Sequence, residues 1–233
     1  MKSGKLLNSR INNLKYFFVV LARDRKFVQE KIKELERLEV LYIIICGEKV
    51  SHPRVVYRPP RGKYDAINYS VKFVPKDVDV VVFNDVDTKI ISFEHMFEHL
   101  LDPRVALVYA LEVVPEGPQS LFFRVANPIR KRIPLAGTGE LLMIRKSVLQ
   151  KITPIPPTKA EDTYMIFKAL ELGYRVVCCE RAIIVTHRTK RAQEEEKYKL
   201  RTVTGILQAL SYSRPPPLIK LVYKLLPLFI PLI

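Results

Sequence analysis

The chain has 233 residues, 48% of them apolar and 27% charged, a balance that argues against a disordered chain and accommodates one large α/β domain with an appendage. Its 39 Lys and Arg against 24 Asp and Glu give a formal charge of +15, which favours nucleic acid, phosphorylated small molecules or anionic headgroups as partners. Three cysteines, Cys46, Cys178 and Cys179, offer neither a CxxC pair nor an even framework, so neither a zinc site nor a disulfide scaffold is indicated and a reducing compartment is expected.

In chain order, "YFFVVLA" (16–22) follows basic residues like a short signal peptide but runs into "RDRK" without a small-residue cleavage site, and is expected to be a first core strand. Residues 25–39 place Val28, Ile32, Leu35 and Leu38 on one helix face. Further strand-like runs occupy 41–46, 78–84, 105–114, 140–144, 174–178 and 182–186, and helical patterns occupy 64–74 and 161–172. Near-continuous Val and Ile runs alternating with amphipathic helices predict a mostly parallel sheet covered on both faces. Ligands of such sheets bind at the carboxyl ends of the strands.

That rule singles out "VVFNDVDTKI" (81–90), where a buried run ends on Asp85 and Asp87. At a strand end both carboxylates can reach one divalent cation, and hard oxygen ligands suit Mg²⁺ or Mn²⁺ bridging to a substrate's phosphates. A solvated turn uses the same residues, so the pair gains meaning from its company. That company is "RGKYDAINYSV" (61–71), "GTGELLMIR" (137–145), "AEDTYMIFKALELGYRV" (160–176) and "YKLRTVTG" (198–205).

Together, over residues 15–210, these segments resemble glycosyltransferase family 2, inverting nucleotide-sugar transferases of the GT-A fold, and more closely its membrane-associated, cellulose-synthase-like branch. The resemblance implies a Rossmann-like, mixed but mostly parallel sheet with helices on both faces. Asp85 and Asp87 then match the family's DxD, holding the metal and the donor. Lys63 and Asn68 match a segment beside the nucleotide, and Ala22, Arg23 and Asp24 sit where the first strand ends against the base. Glu161 and Asp162 match its "ED", with Asp162 as general base, and 137–145 lines the acceptor site. His187 stands where some relatives carry a metal-binding histidine, although a surface histidine beside Arg188 and Lys190 reads equally well. Seen alone, Glu161 and Asp162 also suit a helix N-terminus, and Lys63 a solvated surface.

Two departures qualify the match. After the second strand the chain has "CGEK", leaving Glu48 as the one substitute for the family's acidic residues there. "YKLRTVTG" keeps the Arg and Gly of QxxRWxxG but has Tyr198 and Thr202 in place of Gln and Trp, so Arg201 is expected to hold a phosphate while the base contacts are in doubt.

The expectation is a metal-dependent, inverting transferase moving a sugar from GDP-mannose, or else a UDP-sugar, to a lipid-linked or glycan acceptor, at the cytoplasmic face of the cell membrane. Residues 1–213 form the catalytic domain and 214–233, opening on three prolines, an apolar membrane-interface or truncated transmembrane segment. Sixteen helical residues span about 24 Å, short of a ~30 Å hydrocarbon core, and Pro227 and Pro231 interrupt them. Two rival readings stand beside it. "FNDVDT" imitates the phosphatase loop of the haloacid-dehalogenase class, but after two earlier strands rather than the first. A non-catalytic nucleic-acid binder would need aromatic or Gly-rich recognition motifs that the basic segments lack.

Overall fold

A computed structural model describes residues 14–113, 128, 139–186 and 192–229. Eight strands, β1 (Tyr16–Ala22), β2 (Tyr42–Cys46), β3 (Val55–Tyr57), β4 (Val80–Asp85), β5 (Thr88–Ser92), β6 (Val105–Val113), β7 (Leu141–Arg145) and β8 (Arg175–Thr186), form one sheet in the order β3-β2-β1-β4-β7-β6-β8-β5. The β-branched runs bury both faces by alternation: Phe17, Val19 and Leu21 join one core, Phe18, Val20 and Ala22 the other. Among the described residues the helices are α1 (Val28–Arg37), α2 (Lys63–Ser70), α3 (Met96–His99), α4 (Lys146–Ile152), α5 (Glu161–Glu171), α6 (Ala192–Tyr212) and α7 (Pro217–Phe229).

Register places the site. Strand β1 runs parallel to β2 and β4, pairing Ala22 with Cys46 and Leu21 with Asp85, so all three strands end level on one rim. Strand β7 is antiparallel, pairing Asn84 with Leu141, and therefore begins at the rim where β4 ends. The sheet is thus mixed rather than wholly parallel, and its antiparallel member delivers Gly139 and Glu140 to the same place. From Asp85 the chain turns through Val86 and Asp87 into β5, which pairs with β8 at the far edge, Thr88 opposite Thr186. A sheet whose last strand follows directly from its fourth has to be curled, and the corner of the curl carries the carboxylate pair. The runs 174–178 and 182–186 belong to one strand: its pairing with β6 slips between Ala110–Cys179 and Leu111–Ile183, leaving 180–182 as a bulge.

The C-terminal segment is two-faced. Tyr223 on α7 is fully buried, edge to face with Phe167 of α5 at 4.6 Å between ring centroids, while Leu218, Leu221 and Leu225 are 68%, 54% and 45% exposed. Among the described residues no helix is long and apolar enough to cross a membrane. The expected apolar appendage therefore docks on α5 along one stripe and leaves another uncovered.

Candidate active site

Lys63, the first residue of α2, is the centre of the rim. Its Nζ lies 2.9 and 3.0 Å from the two oxygens of Asp85 and 3.0 Å from Oε1 of Glu161. The preceding Gly62 has φ +108°, a left-handed turn that starts the helix and aims the lysine inward. Burial opposes the ammonium, but Asp85, Glu161 and Asp162 outweigh it and hold its pKa well above the ordinary lysine value. Solvated surface charge is therefore not what Lys63 supplies.

The carboxylates respond to the same environment. Burial, opposed by Lys63 and reinforced by Glu140 and Asp87, pushes Asp85 up from 3.8 to about 7. Burial and the charge of Glu161 push Asp162 up to about 6, against Lys63 and the backbone N–H of Thr163. The backbone of Thr163 donates to Asp162 Oδ1 at 2.6 Å and that of Gly139 donates to Oδ2 at 3.0 Å, so the carboxylate is fixed at both oxygens with lone pairs left over. Oε2 of Glu161 is buried and has no hydrogen-bond partner among the described residues. Two helix-opening acids that the macrodipole alone would explain are thus also tied into the charged cluster at the rim.

Two glycines make the approach possible. A Cβ on Gly139 would lie 2.9 Å from Lys63 Nζ and 3.3 Å from Asp162. A Cβ on Gly205 of α6 would lie 2.8 Å from the backbone N of Ala160, immediately before Glu161 and Asp162. The Gly of "YKLRTVTG" therefore lets α6 press on the loop that carries the acids. Arg201, four residues earlier on that helix, shares with Lys63, Glu161 and Lys159 the wall of a cavity of about 470 Å³.

Other residues singled out from the sequence fall along the same rim. Gly47 N donates to Ala22 O at 2.9 Å, joining the ends of β1 and β2, and Arg25 leans on Glu48 at 3.6 Å. Asp24 accepts from the backbone of Lys26 at 3.0 Å, and Arg23, just before it, sets its carbonyl against Gly47. Asn68 engages both ends of its amide with the backbone of Ile155, at 2.7 and 2.8 Å, which makes it a staple for the loop before Glu161. His187 lies outside the described residues. Glu140 entered the sequence reading only as part of 137–145 and Lys159 not at all: one is 7% exposed beside both shifted aspartates and the other lines the cavity, and neither has a spacing signature of its own.

The donor set fits a divalent metal with its substrate. Among the described residues no group of three or more His, Cys, Asp or Glu is disposed to hold an ion alone. Mg²⁺-type sites, however, use one or two carboxylates and complete their shell with phosphate oxygens and water. Asp87 is exposed and makes no ion pair among the described residues, whereas both oxygens of Asp85 face Lys63. Carboxylates outnumber the ammonium at this rim, an excess that a cation would neutralise.

No family model and no curated protein matches the chain. Among solved structures it is similar to a mannosyltransferase from Pyrobaculum calidifontis, in complex with GDP-Man and Mn²⁺, at TM-score 0.71 and 17% identity over 94% of this chain and 71% of that one. It is similar to M. tuberculosis glucosyl-3-phosphoglycerate synthase at TM-score 0.57 and 16% identity, covering 91% and 85% of the two chains. The A197 protein from STIV follows at TM-score 0.50 and 14% identity, over 76% and 88%. At these identities the likeness is one of fold, and that fold is the GT-A fold of nucleotide-sugar glycosyltransferases.

Proposed function

We propose that the chain is a metal-dependent, inverting glycosyltransferase that moves a sugar, mannose first, from a nucleoside-diphosphate donor to a membrane-held acceptor. The observation that carries this reading is Asp162, held by two backbone N–H groups at the edge of a charged rim where Lys63 joins Asp85 to Glu161. The fold supports it, and the Pyrobaculum protein's complex with GDP-Man and Mn²⁺ supports the choice of donor and metal. The order of motifs from Lys63 to Arg201 resembles that of glycosyltransferase family 2.

The chemistry follows from the residues. Asp85, Asp87 and, from 187, His187 would hold Mn²⁺ or Mg²⁺, which when bound neutralises the diphosphate leaving group. Lys63 and Arg201, which line one cavity, would add positive charge to that leaving group as the sugar–oxygen bond breaks. Asp162, ionised near neutral pH, accepts the proton of the acceptor hydroxyl as its oxygen attacks the anomeric carbon from the opposite face. One base and one displacement imply inversion. Glu161 keeps Lys63 in place and adds negative charge that raises the basicity of Asp162.

A membrane-held acceptor is favoured by α7, whose exposed leucines are bordered by Lys220 and Lys224. With such an acceptor the domain would work at the cytoplasmic face of the cell membrane. A donor panel scored for nucleoside-diphosphate release with Mn²⁺ or Mg²⁺ tests the reading. GDP-mannose turnover that Asp162→Asn abolishes is expected; a panel without any turnover, or full transfer by that variant, overturns it.

A further inference from the structure

On the apolar face of α1, between Val28 and Ile32, lies a lysine that amphipathic periodicity would replace with leucine. Lys31 is 2% exposed. Its Nζ bonds Oε2 of Glu34 at 2.6 Å, Oδ1 of Asn84 at 2.8 Å and the carbonyl oxygen of Thr88. An ammonium has three N–H donors and here each has an acceptor; a neutral amine, with two, would leave one unmet.

The acceptors are what matter. Asn84 precedes Asp85 and Thr88 follows Asp87, so one buried side chain grips the carboxylate turn at both of its ends. Each grip is passed on. Asn84 Nδ2 donates to the carbonyl of Glu140, which also accepts from the backbone of Asp85 at 3.3 Å. The hydroxyl of Thr88 meets that of Thr186, the last residue of β8, at 3.1 Å. Glu34 in turn accepts from the backbone of Ile90 at 2.7 Å. Helix α1, the ends of β4 and β8 and the starts of β5 and β7 are thus joined beneath the rim. A buried ion pair is poor value for stability, since apolar replacements of like volume are often neutral or better. Its retention here calls for a positional role.

We infer that Lys31 is a positioning residue for the metal-holding turn: it fixes Asp85 and Asp87 in the mutual geometry that receives a divalent cation with a nucleoside diphosphate, without touching either ligand. The inference rests on the metal-dependent transferase reading. Lys31→Met keeps the aliphatic stem and removes the ammonium.

The test pairs two readouts on the full chain. Hydrogen exchange of the amides of 84–90 is expected to rise in the variant by at least tenfold more than that of β1 and β2. Mn²⁺ affinity in the presence of GDP, read by electron paramagnetic resonance, is expected to fall at least tenfold, with a lower melting temperature because Glu34 loses its buried partner. Unchanged exchange in 84–90 together with unchanged Mn²⁺ affinity overturns the inference, as does a uniform rise in exchange across the domain. Should Lys31→Met not fold, Glu34→Gln, which retains an acceptor for Ile90, has to move both readouts in the same direction by a smaller factor, and failure to do so overturns it. Wild type that binds no Mn²⁺ with GDP refutes the transferase reading instead, and the exchange result then decides the grip on the turn by itself.

Discussion

The carboxylates of Asp85 and Glu161, distant in the chain, are held by the same ammonium, that of Lys63, at 2.9 and 3.0 Å. Lys63 therefore links Asp85, at the end of β4, to the start of the helix that carries Asp162, the proposed base. Its replacement by Met leaves Asp85 facing Glu140 and Asp87, and Glu161 facing Asp162, without the cation between them. Breaking a buried pair by removing one partner destabilises by on the order of 3 kcal/mol, and losing a charge aimed at the leaving group lowers kcat by roughly a hundredfold. Lys63→Met should melt markedly earlier in EDTA and regain part of the loss in Mn²⁺ with GDP. Wild-type turnover in this variant would remove Lys63 from the mechanism.

The shifted aspartates give a pH dependence of definite sign. Asp85 and Asp162 titrate near 3.8 when unfolded but are pushed up to about 7 and about 6 in the fold. Between those values the folded chain binds more protons than the unfolded one, so stability falls as pH rises. Their favourable contribution is fully present below pH ~4 and gone once pH passes through about 7. A divalent cation requires the ionised carboxylates, so it should restore more stability at pH 8 than at pH 5. Melting temperatures with EDTA and with Mn²⁺ plus GDP at both pH values check this. An equal metal-induced shift at the two would mean that Asp85 is not in the site.

Gly205 and Gly173 offer a paired test of close approach. Alanine at 205 has to displace the backbone at Lys159 and Ala160, at 2.9 and 2.8 Å, and with it the loop entering Glu161 and Asp162. Overpacking of this kind costs about 1–3 kcal/mol, and displacement of the base should lower kcat more than KM for the donor. Alanine at 173 meets nothing within 4 Å but has to adopt φ +82° at the end of α5, a strain of roughly 1 kcal/mol remote from the rim. Gly173→Ala should lose stability and keep its turnover; equal kinetic damage in both variants would refute the positional role of Gly205.

These residues also show what could be read in advance. Hydrophobic runs at 16–22, 41–46 and 78–84 became β1, β2 and β4 within about two residues because strands buried on both faces need unbroken apolar stretches. The carboxylate pair was legible because it interrupts such a run. Strand β5 and the reversal of β7 were not: they follow from the curl of the sheet, a tertiary property without a local signature. Lys31 escaped for a different reason: periodicity puts position 31 on the apolar face, but a lysine among glutamates reads as solvated, and the acceptors that keep it inside include residues 84 and 88. Glu140 became conspicuous only once antiparallel pairing had brought it beside Asp85.

The two stripes of α7 separate docking from membrane attachment. Tyr223 is fully buried against Phe167, and Phe167 lies on the same helix that opens with Glu161 and Asp162. Truncating a buried aromatic costs about 3–5 kcal/mol, so Tyr223→Ala should lower the melting temperature by several degrees and reduce turnover on any acceptor, soluble or membrane-held. Leu218, Leu221 and Leu225 are exposed, and exposed substitutions usually stay within about 0.5 kcal/mol. Replacing all three by glutamate should therefore leave melting and donor hydrolysis near wild type. Flotation with vesicles containing anionic lipid should nevertheless be lost, because the change removes the apolar contact and places negative charge between Lys220 and Lys224 and the headgroups. A triple variant that still floats with such vesicles would take the membrane surface away from α7, whatever the chemistry at Asp162 proves to be.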